Sequence, residues 1–185
     1  MNFWHLNQAV RAIESGGVIA YPTEAVWGLG CDPFDEDAVR RLLQLKRRPM
    51  HKGLILVAAD MSQIQPLLVG LDSAQRLQLA DSWPGPVTWL LPDLADWIPD
   101  WVKGHHNSVA VRVSDHPGVR ALCQAYGGPV VSTSANPSAA PPARSKLRVS
   151  TYFGSGLDYI LPGKLGGLSR PTQIRDIGSN KFIRK

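Results

Sequence analysis

The sequence predicts an α/β fold: a twisted mixed sheet flanked by helices, as one domain over residues 1–185. Three observations predict it. Segments with strand character alternate with helical ones along the whole chain. The length of 185 residues suits a single core. The composition, 44% hydrophobic and 19% charged, is that of an ordinary globular protein.

The elements follow in order. Leu6, Ala9, Val10 and Ile13 recur at helical spacing, so 3–15 reads as an amphipathic helix stopped by Gly16 and Gly17. Residues 18–21 form a strand that breaks at Pro22 and delivers Thr23 and Glu24 into a Gly-rich turn containing Gly28 and Gly30. Asp35 caps a helix over 36–46, whose core face carries Val39, Leu42 and Leu43. Lys46, Arg47 and Arg48 sit at its C-terminal end, where the dipole favours cations, and Pro49 prevents continuation. The aliphatic run 54–59 reads as a buried strand, 72–83 as a helix, and Trp83-Pro-Gly-Pro86 as a rigid turn into a strand over 87–91. Residues 93–108 read as a loop with short turns. A strand over 109–113 leads to a helix over 117–126, capped by Ser114 or Asp115 with Pro117 in its first turn. A strand over 129–133 enters the Pro/Ser/Ala-rich loop 134–145, a length that marks a functional or mobile segment. A short helix near 146–153, a strand over 157–161, a Gly-rich basic loop over 163–171 and a strand over 173–177 complete the reading.

Charge and missing motifs narrow the function. The net charge of +5 is uneven: residues 1–92 carry 8 basic and 9 acidic side chains, whereas residues 93–185 carry 12 and 6. A basic excess attracts nucleotides, polyphosphate or RNA. The longest aliphatic run is far short of a membrane span, and no export signal is visible. Cys31 and Cys123 stand alone, which argues against a disulfide framework or zinc site and fits a reducing cytoplasm. There is no P-loop, no dinucleotide-binding Gly-x-Gly-x-x-Gly and no Gly-x-Ser-x-Gly elbow. His51, His105, His106 and His116 lack metal-ligand spacing, and His116 before Pro117 reads as part of a helix start.

Several polar groups are candidates for chemistry. Lys46 and Arg48 suit phosphate, although helix-end cations alone also fit dipole compensation. Ser132-Thr-Ser-Ala-Asn136 places three hydroxyls and an amide beyond a strand, where they serve either a nucleotide or the turn itself. Arg112 lies in an apolar strand, sharing a face with Ala110 opposite Val111 and Val113. A buried cation needs a partner: a carboxylate or phosphate ligand, or an internal salt bridge with Glu24 or Asp115. Thr88, just past the Trp83-Pro-Gly-Pro turn, lies at a strand's edge within reach of a ligand or as an ordinary strand residue.

Six stretches in order carry a resemblance: Tyr-Pro-Thr-Glu-x-x-x-Gly-Leu-Gly at 21–30, Lys-x-Arg-Pro at 46–49, Trp-Pro-Gly-Pro-x-Thr at 83–88, Val-Ala-Val-Arg at 109–112, Ser-Thr-Ser-Ala-Asn at 132–136 and Pro-Thr-Gln-Ile-Arg-Asp at 171–176. Together, over about residues 8–178, they resemble the YrdC/TsaC family of threonylcarbamoyl-AMP synthases in its short form. The resemblance implies a YrdC-like fold with a basic concave face. It implies an activity as well: L-threonine, bicarbonate and ATP yield threonylcarbamoyl-AMP and pyrophosphate, and partner proteins pass the threonylcarbamoyl group to tRNA beside the anticodon. By the same resemblance Lys46 and Arg48 contact ATP phosphates as the catalytic cations, and Thr88, Ser134, Asn136 and Thr172 hold the nucleotide. Thr23 recognises threonine and Arg112 pairs with its carboxylate. Mg²⁺ bridges the phosphates, held mainly by nucleotide and water. Two departures stand out: Thr172 where relatives often have Ser, which keeps the hydroxyl, and Gly53 where many have Pro. The competing reading is an RNA-binding tRNA or ribosome maturation factor without ATP turnover, supported by the basic second half; direct RNA binding is compatible with both.

Overall fold

The computed structural model describes residues 2–184. In chain order the elements are α1 (Phe3–Glu14), β1 (Ile19–Pro22), β2 (Trp27–Gly30), α2 (Glu36–Lys46), β3 (Ile55–Ala58), α3 (Ser73–Ser82), β4 (Val87–Pro92), α4 (Asp100–Lys103), β5 (Ser108–Val113), α5 (Pro117–Tyr126), β6 (Val130–Ser134), α6 (Lys146–Phe153), β7 (Tyr159–Ile160), β8 (Gln173–Asp176) and β9 (Phe182–Arg184). The strands form one mixed sheet in the order β7-β1-β2-β6-β3-β5-β4-β8-β9. The pairs β1/β7, β3/β5 and β4/β8 run parallel and the rest antiparallel.

Local chemistry explains the helix ends. Asp35 accepts the Ala38 N–H at 3.0 Å, and Glu36 and Asp37 add negative charge to the first turn of α2. Arg47 then closes α2 in the left-handed region at φ 51°. Asp72 and Gln75 form a reciprocal capping box on α3. At α5 the cap is His116, whose ring accepts the N–H groups of Gly118 and Val119, rather than the expected Ser114 or Asp115.

Successive side chains along the strands go to opposite faces of the sheet, as pleating requires, and both faces are covered. Val18 and Ala20 join the larger apolar core with Leu42, Leu56, Trp89 and Val111, whereas Ile19, Tyr21, Val57 and Val130 pack beneath α1 and α5. Farther along this second face, Ile55, Ala110, Arg112 and Ser132 line a cavity instead.

Two strands differ from the sequence reading. The supposed Gly-rich turn is itself β2, paired back onto β1 with Pro22 opposite Trp27. The turn between them is Thr23–Val26, closed by the Thr23 N–H donating to Val26 O at 3.1 Å. Gly30 is required by packing: a Cβ there would lie 2.5 Å from Val131 O and 2.8 Å from the Tyr21 ring. The other difference is β9, a three-residue edge strand that folds back on β8.

Candidate functional site

A cavity of about 390 Å³ opens on the face that carries Arg112, within the range of small-molecule sites. Thr23 and Gly28 come to it from the β1–β2 hairpin, Ser132, Thr133 and Ser134 from β6, and Ala110 and Arg112 from β5. Arg48, Lys52 and Gly53 enter beyond α2, and Thr172, Ile174, Ile183 and Arg184 from the C-terminal hairpin.

Arg112 is the hub of one wall. The open choice of partner resolves to Glu24: Oε2 lies 3.2 Å from Arg112 Nη2, with both side chains buried. Nη1 donates to Thr172 Oγ1 at 2.8 Å and less closely to Thr88 Oγ1 at 3.4 Å. Arg112 Nε has no protein partner. The Arg112 side chain nevertheless lines the cavity, and a guanidinium in a cavity wall suits a ligand carboxylate or phosphate. Thr23, also buried, donates its hydroxyl to Val26 O at 2.7 Å, which leaves the oxygen's lone pairs for an incoming donor.

The second wall is built from the end of α2 and the loop after β6. Lys46, only 3% exposed, donates from Nζ to the backbone carbonyls of Ser134 and, at 2.9 Å, Asn136. Burial, then the nearby Arg48, pulls its pKa down from 10.5 to about 7. Ser138 completes the docking by donating its N–H to Lys46 O at 2.7 Å and its hydroxyl to Arg47 O at 2.8 Å. The Asn136 amide is turned onto its own loop, donating to Pro137 O and Ala140 O, while Oδ1 is buried without a donor. Arg48 Nη2 donates to Gly53 O at 2.9 Å and its Nε is buried without a partner.

Of the residues singled out in the sequence, Thr23, Arg48, Arg112, Ser134 and Thr172 line the cavity. Lys46, Thr88 and Asn136 stand behind its walls: Lys46 spends its amine on the loop, Thr88 is fully buried against Arg112 and Thr172, and Asn136 braces its own turn. Arg184, Lys52, Lys103, His106 and Ser132 line the cavity without having been singled out as ligands. Ser132 had a signal, as the first residue of its hydroxyl-rich stretch; Arg184 had none, because β9 alone carries it here. Arg184 Nη2 donates to Thr172 O at 2.8 Å. Partial desolvation first, then the nearby Arg112 and Arg48, lowers its pKa. Lys103 is occupied by Asp93, Asp96 and Asp100.

The cavity therefore holds cations in two different settings. Around Arg112 a carboxylate balances the cation, which suits a zwitterion. Arg48, Lys52 and Arg184 have no carboxylate among the described lining residues, which suits polyphosphate; Arg184 and Arg112 meet at Thr172, so the two settings adjoin. The described residues contain no group of three or more His, Cys, Asp or Glu side chains able to hold a metal. No helix among them is long and apolar enough to cross a membrane.

Comparison with known proteins identifies the family and the fold. The Sua5/YciO/YrdC family model, described as telomere recombination, matches residues 11–185. The threonylcarbamoyl-AMP synthase of Hahella chejuensis is 52% identical over 185 residues, covering 100% of both chains. That of Pseudomonas paraeruginosa is 56% identical over 176 residues, 95% of this chain and 94% of the relative. Among solved structures, Pyrococcus abyssi Sua5 complexed with L-threonine superposes with a TM-score of 0.89 at 30% identity, covering 95% of this chain. This chain spans about half, 52%, of that Sua5 chain. Escherichia coli YciO superposes with a TM-score of 0.85 at 25% identity, covering 97% of this chain and 88% of YciO.

Proposed function

The chain belongs to the Sua5/YciO/YrdC family, and on that premise we propose that it is a threonylcarbamoyl-AMP synthase. It joins L-threonine, bicarbonate and ATP to give threonylcarbamoyl-AMP, pyrophosphate and water. The observation that carries the reading is a single cavity lined both by a charge-balanced cation, Arg112 with Glu24, and by cations without a carboxylate among the described lining residues, Arg48 and Arg184. An RNA-binding factor without turnover is not favoured, because it leaves the relatives' shared synthase name without an explanation.

The chemistry asks little of the protein beyond placement and charge. The threonine amine adds to bicarbonate and water leaves, giving a carbamate. A carbamate oxygen then attacks the α-phosphorus; one P–O bond forms as the bond to pyrophosphate breaks. Negative charge collects on phosphate oxygens, so preorganised cations and donors lower the barrier. Arg112, which lines the cavity, takes the threonine carboxylate, and the Thr23 oxygen accepts from the substrate. Arg48 and Arg184 take the phosphates, with Ser134 and Thr172 on the nucleotide. Lys46, Thr88 and Asn136 contribute from behind: Lys46 and Asn136 hold the Ser134 loop, and Thr88 holds Arg112. Mg²⁺ brought in with ATP would neutralise phosphate charge, and none of these residue roles depends on it. The product passes to tRNA threonylcarbamoyl-transfer proteins in the cytoplasm, a reducing compartment consistent with the two free, buried cysteines.

The test is pyrophosphate release with ATP, bicarbonate and each amino acid in turn. Release is expected with threonine and far less with serine. Equal release with serine, or none with threonine, would contradict the assignment.

A further inference from the structure

Arg112 is the cavity end of a buried chain of contacts that leads away from the substrates. Glu24 faces Arg112 with Oε2 and takes a hydrogen bond from Ser114 Oγ on Oε1, at 2.6 Å. Ser114 is fully buried and accepts the His116 backbone N–H at 3.1 Å. Its hydroxyl has one proton, and the ionised carboxylate is the acceptor that takes it, so the direction of this link is determined. The His116 ring spans two elements. Nδ1 accepts from the N–H groups of Gly118 and Val119 at 3.2 and 3.4 Å, so the ring proton sits on Nε2, which donates to Lys164 O at 2.9 Å.

Lys164 begins a strap, residues 164–168, laid along the turn that carries Thr23 and Glu24. The Gly166 N–H donates to Thr23 O and the Leu168 N–H to Glu24 O, each at 3.0 Å. The fit is close: a Cβ at Gly166 would lie 2.9 Å from Glu24 Cα and 3.3 Å from His116 Cδ2. The same carboxylate residue is thus held through its side chain by Ser114 and through its backbone by the strap that His116 pins. Without the Ser114 hydrogen bond the Glu24 carboxylate loses its hydroxyl partner and is left with its contact to Arg112, whose other anchors are the hydroxyls of Thr172 and Thr88.

We propose that Ser114 and His116 are positioning residues of the synthase reaction: Ser114 sets the Glu24 carboxylate that aims Arg112 at the substrate carboxylate, and His116 locks the 164–168 strap over the same pair. The proposal rests on the assignment of Arg112 to the threonine end. It makes threonine binding, rather than ATP binding, the quantity sensitive to two residues that touch neither substrate.

The test combines steady-state pyrophosphate release by the full chain with amide exchange at Gly166 and Leu168. Ser114→Ala is expected to raise KM for threonine roughly tenfold, the loss typical of a hydrogen bond to a charged group, with KM for ATP within about twofold of wild type. Ser114→Thr, which keeps the hydroxyl, is expected to restore it. His116→Gln is expected to speed exchange at Gly166 and Leu168 about tenfold and to raise KM for threonine selectively. A purely structural role would lower the folded fraction, and with it kcat, leaving both KM values in place. Unchanged KM for threonine in Ser114→Ala, or KM values for both substrates rising together, overturns the proposal. If Ser114→Ala does not fold, His116→Gln carries the same kinetic criterion. If wild type shows no threonine-dependent release, the synthase assignment falls, and the proposal with it, since it rests on that assignment; the exchange measurement then still separates an intact relay from none.

Discussion

Replacing Lys46 by Met removes an amine whose pKa burial and Arg48 hold at about 7, against 10.5 for an exposed lysine. Between pH 7 and 9 the unfolded chain keeps nearly a full proton on this group, while the folded chain goes from about half a proton to almost none. The unfolded state binds more protons throughout, so Lys46 makes wild-type stability rise with pH across this window. Integrating the difference gives a gain of about 2 kcal/mol from pH 7 to pH 9. Below pH 7 the folded amine becomes charged as in the unfolded chain, and its contribution levels off at its least favourable value. Lys46→Met has no such slope, though it leaves the carbonyls of Ser134 and Asn136 without their Nζ donor, which costs about 1–3 kcal/mol at all pH values. Urea unfolding of both proteins at pH 7, 8 and 9 isolates the effect, because every other titrating group cancels in the difference. Wild type is expected to gain about 2 kcal/mol on the variant over this range. A wild-type-minus-variant difference that stays constant with pH would show that the amine is not held near neutrality, and would refute the burial argument.

Two other outcomes follow from the packing and the cavity charge. Gly30→Ala is expected to destabilise the protein by about 1–3 kcal/mol in chemical denaturation, because the added methyl meets the Val131 carbonyl and the Tyr21 ring, neither of which can move freely in the core. Arg184→Ala is expected to raise KM for ATP about tenfold or more through loss of a charge-assisted contact, with KM for threonine changed far less; equal effects on the two would argue against a phosphate end at Arg184.

Much of this molecule was legible one element at a time. The helices α1, α2 and α5 announce themselves by apolar spacing, by Asp35 as a cap and by Pro117 in a first turn, all interactions within about four residues. Strand β2 was not legible: Trp-Gly-Leu-Gly has two glycines and no polar alternation, and it is a strand because β1 and β6 pair with it on either side. Strand β9 is three exposed residues whose pairing with β8 alone makes them a strand.

The candidate site divides the same way. The sequence by itself determined which residue types each segment supplies: a hydroxyl and a carboxylate after β1, cations at the end of α2, an arginine inside β5, hydroxyls at the end of β6. It also left Arg112 with two possible internal partners. Only the tertiary structure selected Glu24, turned the Lys46 amine onto two backbone carbonyls, and brought Arg184 into the same cavity as Arg48. The reason is physical. Residue type and capping act over a few neighbouring positions, whereas the direction of a buried charge depends on which strands flank it, and here the order β7-β1-β2-β6-β3-β5-β4-β8-β9 gathers segments from the whole length of the chain.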